Sequence, residues 1–574
     1  MVLNKKMKFQ KIEESIIKLI TGAFQKAADR DLLPTVTLPS IELQVPREKD
    51  HGDLASNIAM KVSSQVRRPP AETAKVIASL IEPELNQDTD IIGIEADLRR
   101  GFINFTINPS TLHNSLREIL RSPNHCGESK AGEGNRVLLE FISANPTGPL
   151  TVAHGRQAAV GDVLAELMKK AGFRVDREYY LNDRGRQMNI LGASVYLRWR
   201  QLRGEELDLP AEYYQGEYII NLARGIQEDQ PVVAEKTFSE LSEAEAIDYC
   251  AAYASGILLG MIKEELRDFG VKMDGWVSET ELVAAGEVEK ALGELAGLGS
   301  TYEKEGALWF RSSAYGDEKD RVLRKSGGDL TYLSSDIAYH REKYGRGYNA
   351  IIDFWGPDHH GYIARLKGSM EALGFDPGIL EIVIVQLTTL YEGKTKLSMS
   401  TRQGEFISLR QVLDRVGKDA ARYFFVRRRK ESHLDFDLEL AQSQTNDNPV
   451  YYVQYAHARI NSIFKKYTER TGCDMPDFLK VDLACLSEPE EMEVIKKLLL
   501  FPEMIETAAL TRQPHLLPAY LEDLASIFHS YYNQHRVIGD DPGITAARLA
   551  LARGVQAVIA EGLEILGVSA PESM

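Results

Sequence analysis

Between residues 137 and 181 the sequence carries a pattern that a parallel sheet satisfies and few other arrangements do. Val137 to Ile142 is a short apolar run, and a loop containing Asn145-Pro-Thr-Gly-Pro149 follows it. From Val152 onward, Val160, Val163, Leu164, Leu167, Met168 and Ala171 recur on one face at helical spacing. Gly172 closes that helix, and Phe173 to Leu181 reads as a second strand. Strand, helix and strand in this order form the repeating unit of an open, doubly wound parallel sheet. The pattern resumes later: Ala350 to Trp355 reads as a strand, Gly356 to Gly361 as a loop, Tyr362 to Leu373 as a helix, and Ile382 to Gln386 as the next strand.

A stretch of different character separates the two halves. Residues 201–330 hold 13 Lys/Arg against 27 Asp/Glu, so this stretch accounts for nearly all of the chain's net charge of −16. The remainder is close to neutral, and the acidic total does not exclude a nucleic-acid partner. A chain of 574 residues exceeds what one core supports. The expected plan is an α/β multidomain protein: an N-terminal α+β module (1–115), a Rossmann-like parallel sheet split between 135–200 and 331–390, an acidic, mainly helical insertion (201–330), a mobile loop and junction (391–444), and an all-α bundle (445–574). Pro123 to Gly134 reads as a linker. No apolar run is long enough to span a bilayer, and the basic Met1 to Lys8 is followed by an acidic amphipathic stretch and not by a signal-peptide core, so a cytoplasmic location is expected. Cys126, Cys250, Cys473 and Cys485 are too scattered for a zinc knuckle and read as reduced, buried thiols.

Four segments can carry chemistry. The loop from Asn145 to Thr151 and the first turn of the helix behind it, with His154, lie where open parallel sheets bind ligands, and a helix N-terminus there offers N–H groups to phosphate. Taken alone, His154 reads as a helix-start residue and Asn-Pro-Thr-Gly-Pro as a tight loop. Tyr332 and Asp336 lie on one helical face: a carboxylate can accept two parallel N–H bonds from a guanidinium, and a tyrosine can stack on it. The alternative is a helix-start carboxylate beside a core tyrosine. In Gly356-Pro-Asp358-His359-His360-Gly361 no third metal ligand is evident, which favours a strand-end loop touching ATP or an amino acid over a metal site. Lys394-Thr-Lys396-Leu-Ser398-Met399-Ser400-Thr401-Arg402-Gln-Gly404 sets cations among hydroxyls and can close over a triphosphate, or it is a solvated hairpin. The sequence holds no Walker phosphate loop, no dinucleotide fingerprint in the right place and no serine–histidine–acid arrangement.

Together these segments resemble the arginyl-tRNA synthetases, a class I family. Glu140-Phe-Ile-Ser143-Ala-Asn145 through Thr151-Val-Ala-His154-Gly-Arg156 is similar to the family's His-x-Gly-His region, Tyr332 to Asp336 to its arginine pocket, and Ser398 to Gly404 to a variant Lys-Met-Ser-Lys-Ser loop. Val416 to Phe425, His433 to Asp437 and Asn448 to Arg459 resemble its junction with the anticodon-binding domain. His51-Gly-Asp53-Leu-Ala-Ser-Asn57 and Leu566 to Met574 resemble its two ends. The resemblance implies that Glu140, Ser143 and Asn145 hold the backbone groups of arginine, that Tyr332 and Asp336 read the guanidinium with His359 nearby, and that Thr151, His154, Lys396, Met399, Ser400 and Arg402 serve the ATP side. It implies an N-terminal contact to the tRNA elbow and an anticodon contact through the C-terminal bundle, where Tyr451, Tyr452, Tyr455 and Arg459 can stack on unpaired bases or serve helix packing.

The implied reaction is activation of arginine with ATP and Mg2+, dependent on bound tRNA, then transfer to the 3′ end of tRNA(Arg), by a monomer with no tightly bound prosthetic group. Two positions depart from the family pattern. Thr151 stands where the signature has its first histidine, with Ala153 in place of glycine, and Ser398 and Thr401 stand where the mobile loop has lysines. The loop's charge then falls to Lys394, Lys396 or Arg402. The rival readings are a class I enzyme for another amino acid, lysine above all, and a non-catalytic RNA-binding paralogue.

Overall fold

The computed structural model describes residues 8–46, 48, 51–86, 89–397 and 407–574. Its centre is a five-stranded sheet, β1 (Arg136–Glu140), β2 (Arg174–Leu181), β3 (Gly275–Ser278), β4 (Ala350–Trp355) and β5 (Leu380–Ile384). The order is β5-β4-β1-β2-β3, and every pairing is parallel. Val137, Leu138, Leu139, Ile351 and Ile352 are buried, as strands covered on both faces require. The chain leaves β1 toward β2 and later returns to β4 on the other side. The carboxyl ends of β1 and β4 therefore flank the crevice where such sheets bind ligands.

Helix α1 (Val152–Lys170) covers one face, and the six residues from Val160 to Ala171 picked out by their spacing are all buried there. The stretch 201–330, expected as an acidic, mainly helical insertion, is built largely of helices but also feeds the central sheet. It contains α3 (Glu217–Asp229) and α4 (Glu243–Asp268), which pack with α2 (Arg186–Leu202) around Leu191, Trp199, Leu222 and Phe238. It also supplies β3, an edge strand of the central sheet, and a three-stranded antiparallel sheet of Thr301–Lys304, Ala307–Phe310 and Arg321–Arg324. The segment read as a plain loop, 356–361, is mostly a 3-10 turn spanning Pro357–Tyr362.

The N-terminal module is a four-stranded antiparallel sheet with helices over it, including Lys8–Asp29 and Pro70–Ile81. Pro70 opens the second of these helices, where its fixed φ suits the first turn and its missing N–H has no partner to lose. The C-terminal bundle comprises α7 (Pro449–Thr471), α8 (Pro489–Leu499), α9 (Phe501–Leu510), α10 (Leu516–Gln534) and α11 (Pro542–Leu566). Module and bundle touch directly, for Asp53 pairs with Lys496 and His113 Nε2 donates to Leu486 O at 2.9 Å.

Two buried groups tie the bundle to the sheet. Arg422, on α6 (Leu409–Arg427), donates to Leu566 O at 2.6 Å, to Phe269 O at 3.1 Å and to Asp162 on α1 at 2.6 Å. Glu561 accepts from Lys170 Nζ at 2.7 Å and from the Cys126 amide at 2.9 Å. The four cysteines are all free; Cys250 is buried, Cys126 and Cys485 are half-buried, and Cys473 is exposed, contrary to the expectation of buried thiols. Among the described residues no helix is long and apolar enough to cross a membrane.

Candidate active site at the carboxyl ends of the strands

Helix α1 begins at Thr151, whose N–H donates to His154 Nδ1 at 3.1 Å. Nδ1 is therefore an acceptor, and the neutral ring carries its proton on Nε2. Burial pushes the His154 pKa down to about 4. The ring is thus a neutral hydrogen-bond donor at the mouth of a helix whose dipole already favours phosphate. Gly155 follows because nothing larger fits: a Cβ there would lie 2.6 Å from Leu409 Cδ1 and 3.2 Å from Phe425 Cε2. Leu409 N also donates to Leu150 O at 2.8 Å, and Ser408 bridges Thr151, so the start of α6 is docked onto the start of α1. Arg156 is fully buried and donates to Gln386 O at 2.8 Å and Arg429 O at 3.0 Å, fixing the chain beyond β5.

Met399, Ser400 and Arg402 lie outside the described residues. Lys394 and Lys396 are exposed on a hairpin formed by Thr388–Glu392 and Thr395–Lys396, immediately before them.

A buried neutral histidine has a measurable consequence. Its pKa lies below the unfolded value of about 6.5, so the unfolded chain takes up the proton first as pH falls. His529, held at about 4 by burial and by Arg459, acts in the same sense. Their contribution to stability is complete above pH 6.5 and is lost between there and about pH 4. The midpoint of thermal unfolding is expected to fall across that window, and less steeply in His529→Gln; an unchanged slope in the variant would refute the assignment.

Beyond β1 the chain turns sharply. Ile142 and Ser143 adopt left-handed φ values of 76° and 39°, costly for residues with a Cβ and sustained only by what holds them. Ser143 Oγ donates to Glu140 Oε1 at 2.8 Å and accepts from Tyr180 N at 3.1 Å, while Tyr179 OH donates to Ala144 O at 2.8 Å. Asn145 then projects from the turn, its amide donating to Gln187 Oε1 on α2 at 2.5 Å.

Facing this turn is α5 (Tyr332–Gly345). Tyr332, in its first turn, is 53% exposed, and Asp336, one turn later, points inward. Asp336 Oδ2 accepts from Tyr362 OH at 2.5 Å, and burial raises the pKa of this carboxyl. Glu279, following β3, is buried as well; burial raises its pKa first, and the charge of Asp336 adds to the effect. Tyr180 stacks on Tyr339 with ring centroids 4.4 Å apart, and its buried hydroxyl has no hydrogen-bond partner among the described residues. Burial, then the charges of Glu279 and Asp336, raise the Tyr180 pKa. Two desolvated carboxylates and an orphaned phenol converge, an environment that a flat, multiply donating cation satisfies and an anion does not.

Beneath the pocket lies a second layer of charge. Lys343, fully buried, pairs with Asp353 Oδ1 at 2.8 Å and with Glu140. His340 sits between Asp353 Oδ2 and Asp336 O, 2.7 Å from each. Burial drives Asp353 upward, but Lys343 and His340 outweigh it and hold that carboxyl at about 2. His359 is exposed on the 3-10 turn, its ring 6.2 Å from Trp355, which lies 5.9 Å from Tyr362. Among the described residues no three His, Cys, Asp or Glu side chains converge as metal ligands.

Contacts join Glu140 and Ser143 to Tyr180, whose hydroxyl lies within the charge of Asp336, and Asp336 to Tyr362, next to Trp355 and His359. Asn145 follows on the turn after Ser143, Tyr332 stands in the exposed first turn of α5, and Thr151 and His154 head α1. Sequence reasoning missed Tyr180, Gln187, Glu279, Lys343 and Tyr362. The adjacent Tyr179-Tyr180 at the carboxyl end of a strand of the parallel sheet was the one available signal. Tyr451, Tyr452, Tyr455 and Arg459 cluster elsewhere, on α7: Arg459 donates to Tyr455 OH at 2.9 Å and lies 3.0 Å from His529 Nδ1, and the Tyr452 ring packs on His529 at 4.8 Å. All four remain partly exposed.

Comparison with known proteins agrees along the whole length. The family model for the arginyl tRNA synthetase N terminal domain matches residues 11–107, that for the class I (R) tRNA synthetase catalytic domain matches 115–465, and that for the DALR anticodon binding domain matches 453–574. An arginine–tRNA ligase of Citrifermentans bemidjiense is 44% identical over 98% of this chain and all of its own length, and one of Desulfosudis oleivorans is 45% identical with the same coverage. A solved structure described as an arginyl-tRNA synthetase of Campylobacter jejuni superposes with a TM-score of 0.74 at 36% identity, covering 81% of this chain and 99% of its own. The Thermus thermophilus arginyl-tRNA synthetase shares the fold at 22% identity, with a TM-score of 0.70 over 96% of this chain and 99% of its own. With its parallel catalytic sheet and family models matched from one end to the other, the chain belongs to the arginyl-tRNA synthetase family.

Proposed function

We infer that the protein is an arginine–tRNA ligase. The observation that carries the choice of amino acid is the convergence of Asp336, Glu279 and the Tyr180 hydroxyl, which has no hydrogen-bond partner among the described residues. In this reading Asp336 takes the guanidinium through paired N–H bonds, Tyr332 covers it, and His359 borders it. Asn145 meets the arginine α-amino or carboxylate group. Glu140 and Ser143 bond to each other and to the protein, which favours a role in shaping the turn that presents Asn145.

A carboxylate oxygen of arginine attacks the α-phosphorus of ATP; the bond to the bridging oxygen breaks and pyrophosphate departs. The 3′-terminal ribose hydroxyl of tRNA then attacks the adenylate carbonyl and AMP leaves. No protein nucleophile is required: the site contributes placement and charge stabilisation. Neutral His154 and Thr151 donate to phosphate at the head of α1. Lys396, with Met399, Ser400 and Arg402, belongs on the pyrophosphate side. Magnesium would arrive with ATP as part of that substrate and neutralise phosphate charge. Tyr451, Tyr452, Tyr455 and Arg459 offer stacking surfaces for unpaired tRNA bases.

ATP–pyrophosphate exchange with each amino acid, with and without tRNA, tests the whole reading. Exchange with arginine alone among the amino acids, in the presence of tRNA, is the expected result. Exchange with lysine would reassign the pocket, and no exchange under any condition would leave an RNA-binding paralogue.

A further inference from the structure

We propose that Tyr218, on a helix of the acidic stretch, is a positioning residue for the arginine-binding turn. It acts on Asn145 through Thr147 and depends on the reading above that Asn145 meets arginine. Tyr218 OH donates to Thr147 O at 2.9 Å. Thr147 N in turn donates to Asn145 O at 2.7 Å, closing a tight turn around Pro146. Fixing the Thr147 peptide therefore fixes the backbone from which the Asn145 side chain projects.

The neighbouring residue shows how closely the two parts fit. A Cβ on Gly148 would lie 3.2 Å from Tyr218 OH and 3.5 Å from Cζ, so the glycine leaves room for the hydroxyl. Tyr218 is half-buried, and burial raises its pKa, which keeps it a protonated donor at neutral pH.

The support behind Tyr218 is rigid. Its helix α3 buries Ile219, Leu222, Ala223 and Ile226 in the core shared with α2 and α4. The segment leading into α3 is anchored by Tyr214 N donating to Ser194 Oγ on α2 at 3.0 Å. Gln187, which receives the Asn145 amide, stands on that same α2. Two helices of one core thus grip the turn at two points, one on the Asn145 side chain and one on the Thr147 carbonyl. The turn carries left-handed residues just upstream, and such a conformation persists only where its surroundings hold it.

The test uses the full chain with tRNA present. Tyr218→Phe removes the hydroxyl and keeps the ring. One neutral hydrogen bond corresponds to a rise of about three- to tenfold in KM for arginine, with KM for ATP unchanged and the unfolding midpoint close to wild type. A merely structural role would move both KM values together or the unfolding midpoint alone. Gly148→Ala supplies the second arm: its added methyl pushes on the hydroxyl, so its effect on arginine KM is expected to be smaller in the Tyr218→Phe background. Arginine KM within twofold of wild type in Tyr218→Phe, or additive effects of the two substitutions, would overturn the proposal. Asn145→Ala separates the two levels. If it raises arginine KM while Tyr218→Phe does not, the positioning role alone fails; if it leaves arginine KM unchanged, the placement of arginine fails and the proposal with it.

Discussion

Asp336→Ala is expected to abolish arginine-dependent pyrophosphate exchange while leaving tRNA binding intact. The carboxylate is half-buried, is bonded by Tyr362 through one oxygen, and lies within the charge of Glu279 and beside Tyr180. Removing one partner of a desolvated, charge-assisted pair leaves the other charge uncompensated, a loss of about 3–5 kcal/mol, or roughly a hundred- to several-thousandfold in kcat/KM. Asp336→Asn keeps the shape and an acceptor for the Tyr362 hydroxyl and removes only the charge. It is expected to lose nearly as much, because a neutral amide cannot offer a guanidinium two anionic acceptors. Burial raises the Asp336 pKa, so arginine affinity is also expected to fall as the solution is acidified toward the carboxylate range. The tRNA-facing residues proposed on α7 lie in the C-terminal bundle, apart from this pocket, so filter binding of tRNA serves as the control. Exchange at wild-type rates in Asp336→Ala would mean that the guanidinium is read elsewhere.

How much of this site could be read from the sequence depends on the kind of signal each residue leaves. The face from Val160 to Ala171 is legible because a helix against a sheet must repeat its apolar residues at helical spacing, and these residues are buried as that predicts. The strand Arg136–Glu140 stands out by its apolar Val-Leu-Leu centre, as a covered parallel strand requires, whereas Arg174–Leu181 carries four charged residues and is legible mainly from its place after the glycine that ends α1. β3 is not legible. Gly275-Trp-Val-Ser278 is four residues long, too short to establish a period, and it lies within an acidic helical neighbourhood. The short antiparallel sheet that follows is lost for the same reason.

In the site, Tyr332 and Asp336 share a helical face as their spacing implies, yet only the second faces inward, because Tyr332 sits in the exposed first turn. Glu279 and Lys343 are invisible for a deeper reason. A charged residue in a helix is ordinarily solvated, and nothing local reveals that its partner arrives from another strand. The roles of Glu140 and Ser143 likewise depend on Lys343 and Tyr180, which the fold brings to them from a distance.

Lys343→Met is expected to be among the most destabilising single changes in the molecule. Its ammonium is fully buried between Asp353 and Glu140 and lies 4.3 Å from the Tyr339 ring centroid. Methionine fills much of the volume but leaves two carboxylates without their cation. Asp353 keeps His340, whereas among the described residues Glu140 keeps only the Ser143 hydroxyl as a hydrogen-bond donor. Breaking a buried pair from one side costs about 3–5 kcal/mol near neutral pH.

The pH dependence identifies the cause. Without Lys343, burial acts on Glu140 unopposed, and its folded pKa rises further above the unfolded value of about 4.3. The folded state of the variant then binds a proton that the unfolded chain has already released, so its stability increases as pH falls through the raised pKa toward 4.3. Chemical denaturation should therefore show a large gap between wild type and Lys343→Met at pH 8 that narrows at pH 5. Adding Glu140→Gln should recover part of the loss at pH 8 and remove the narrowing, since no charge then remains to be titrated at that position. A gap that is constant with pH would mean that the damage is lost packing around Tyr339, and the electrostatic account of this layer would have to be abandoned.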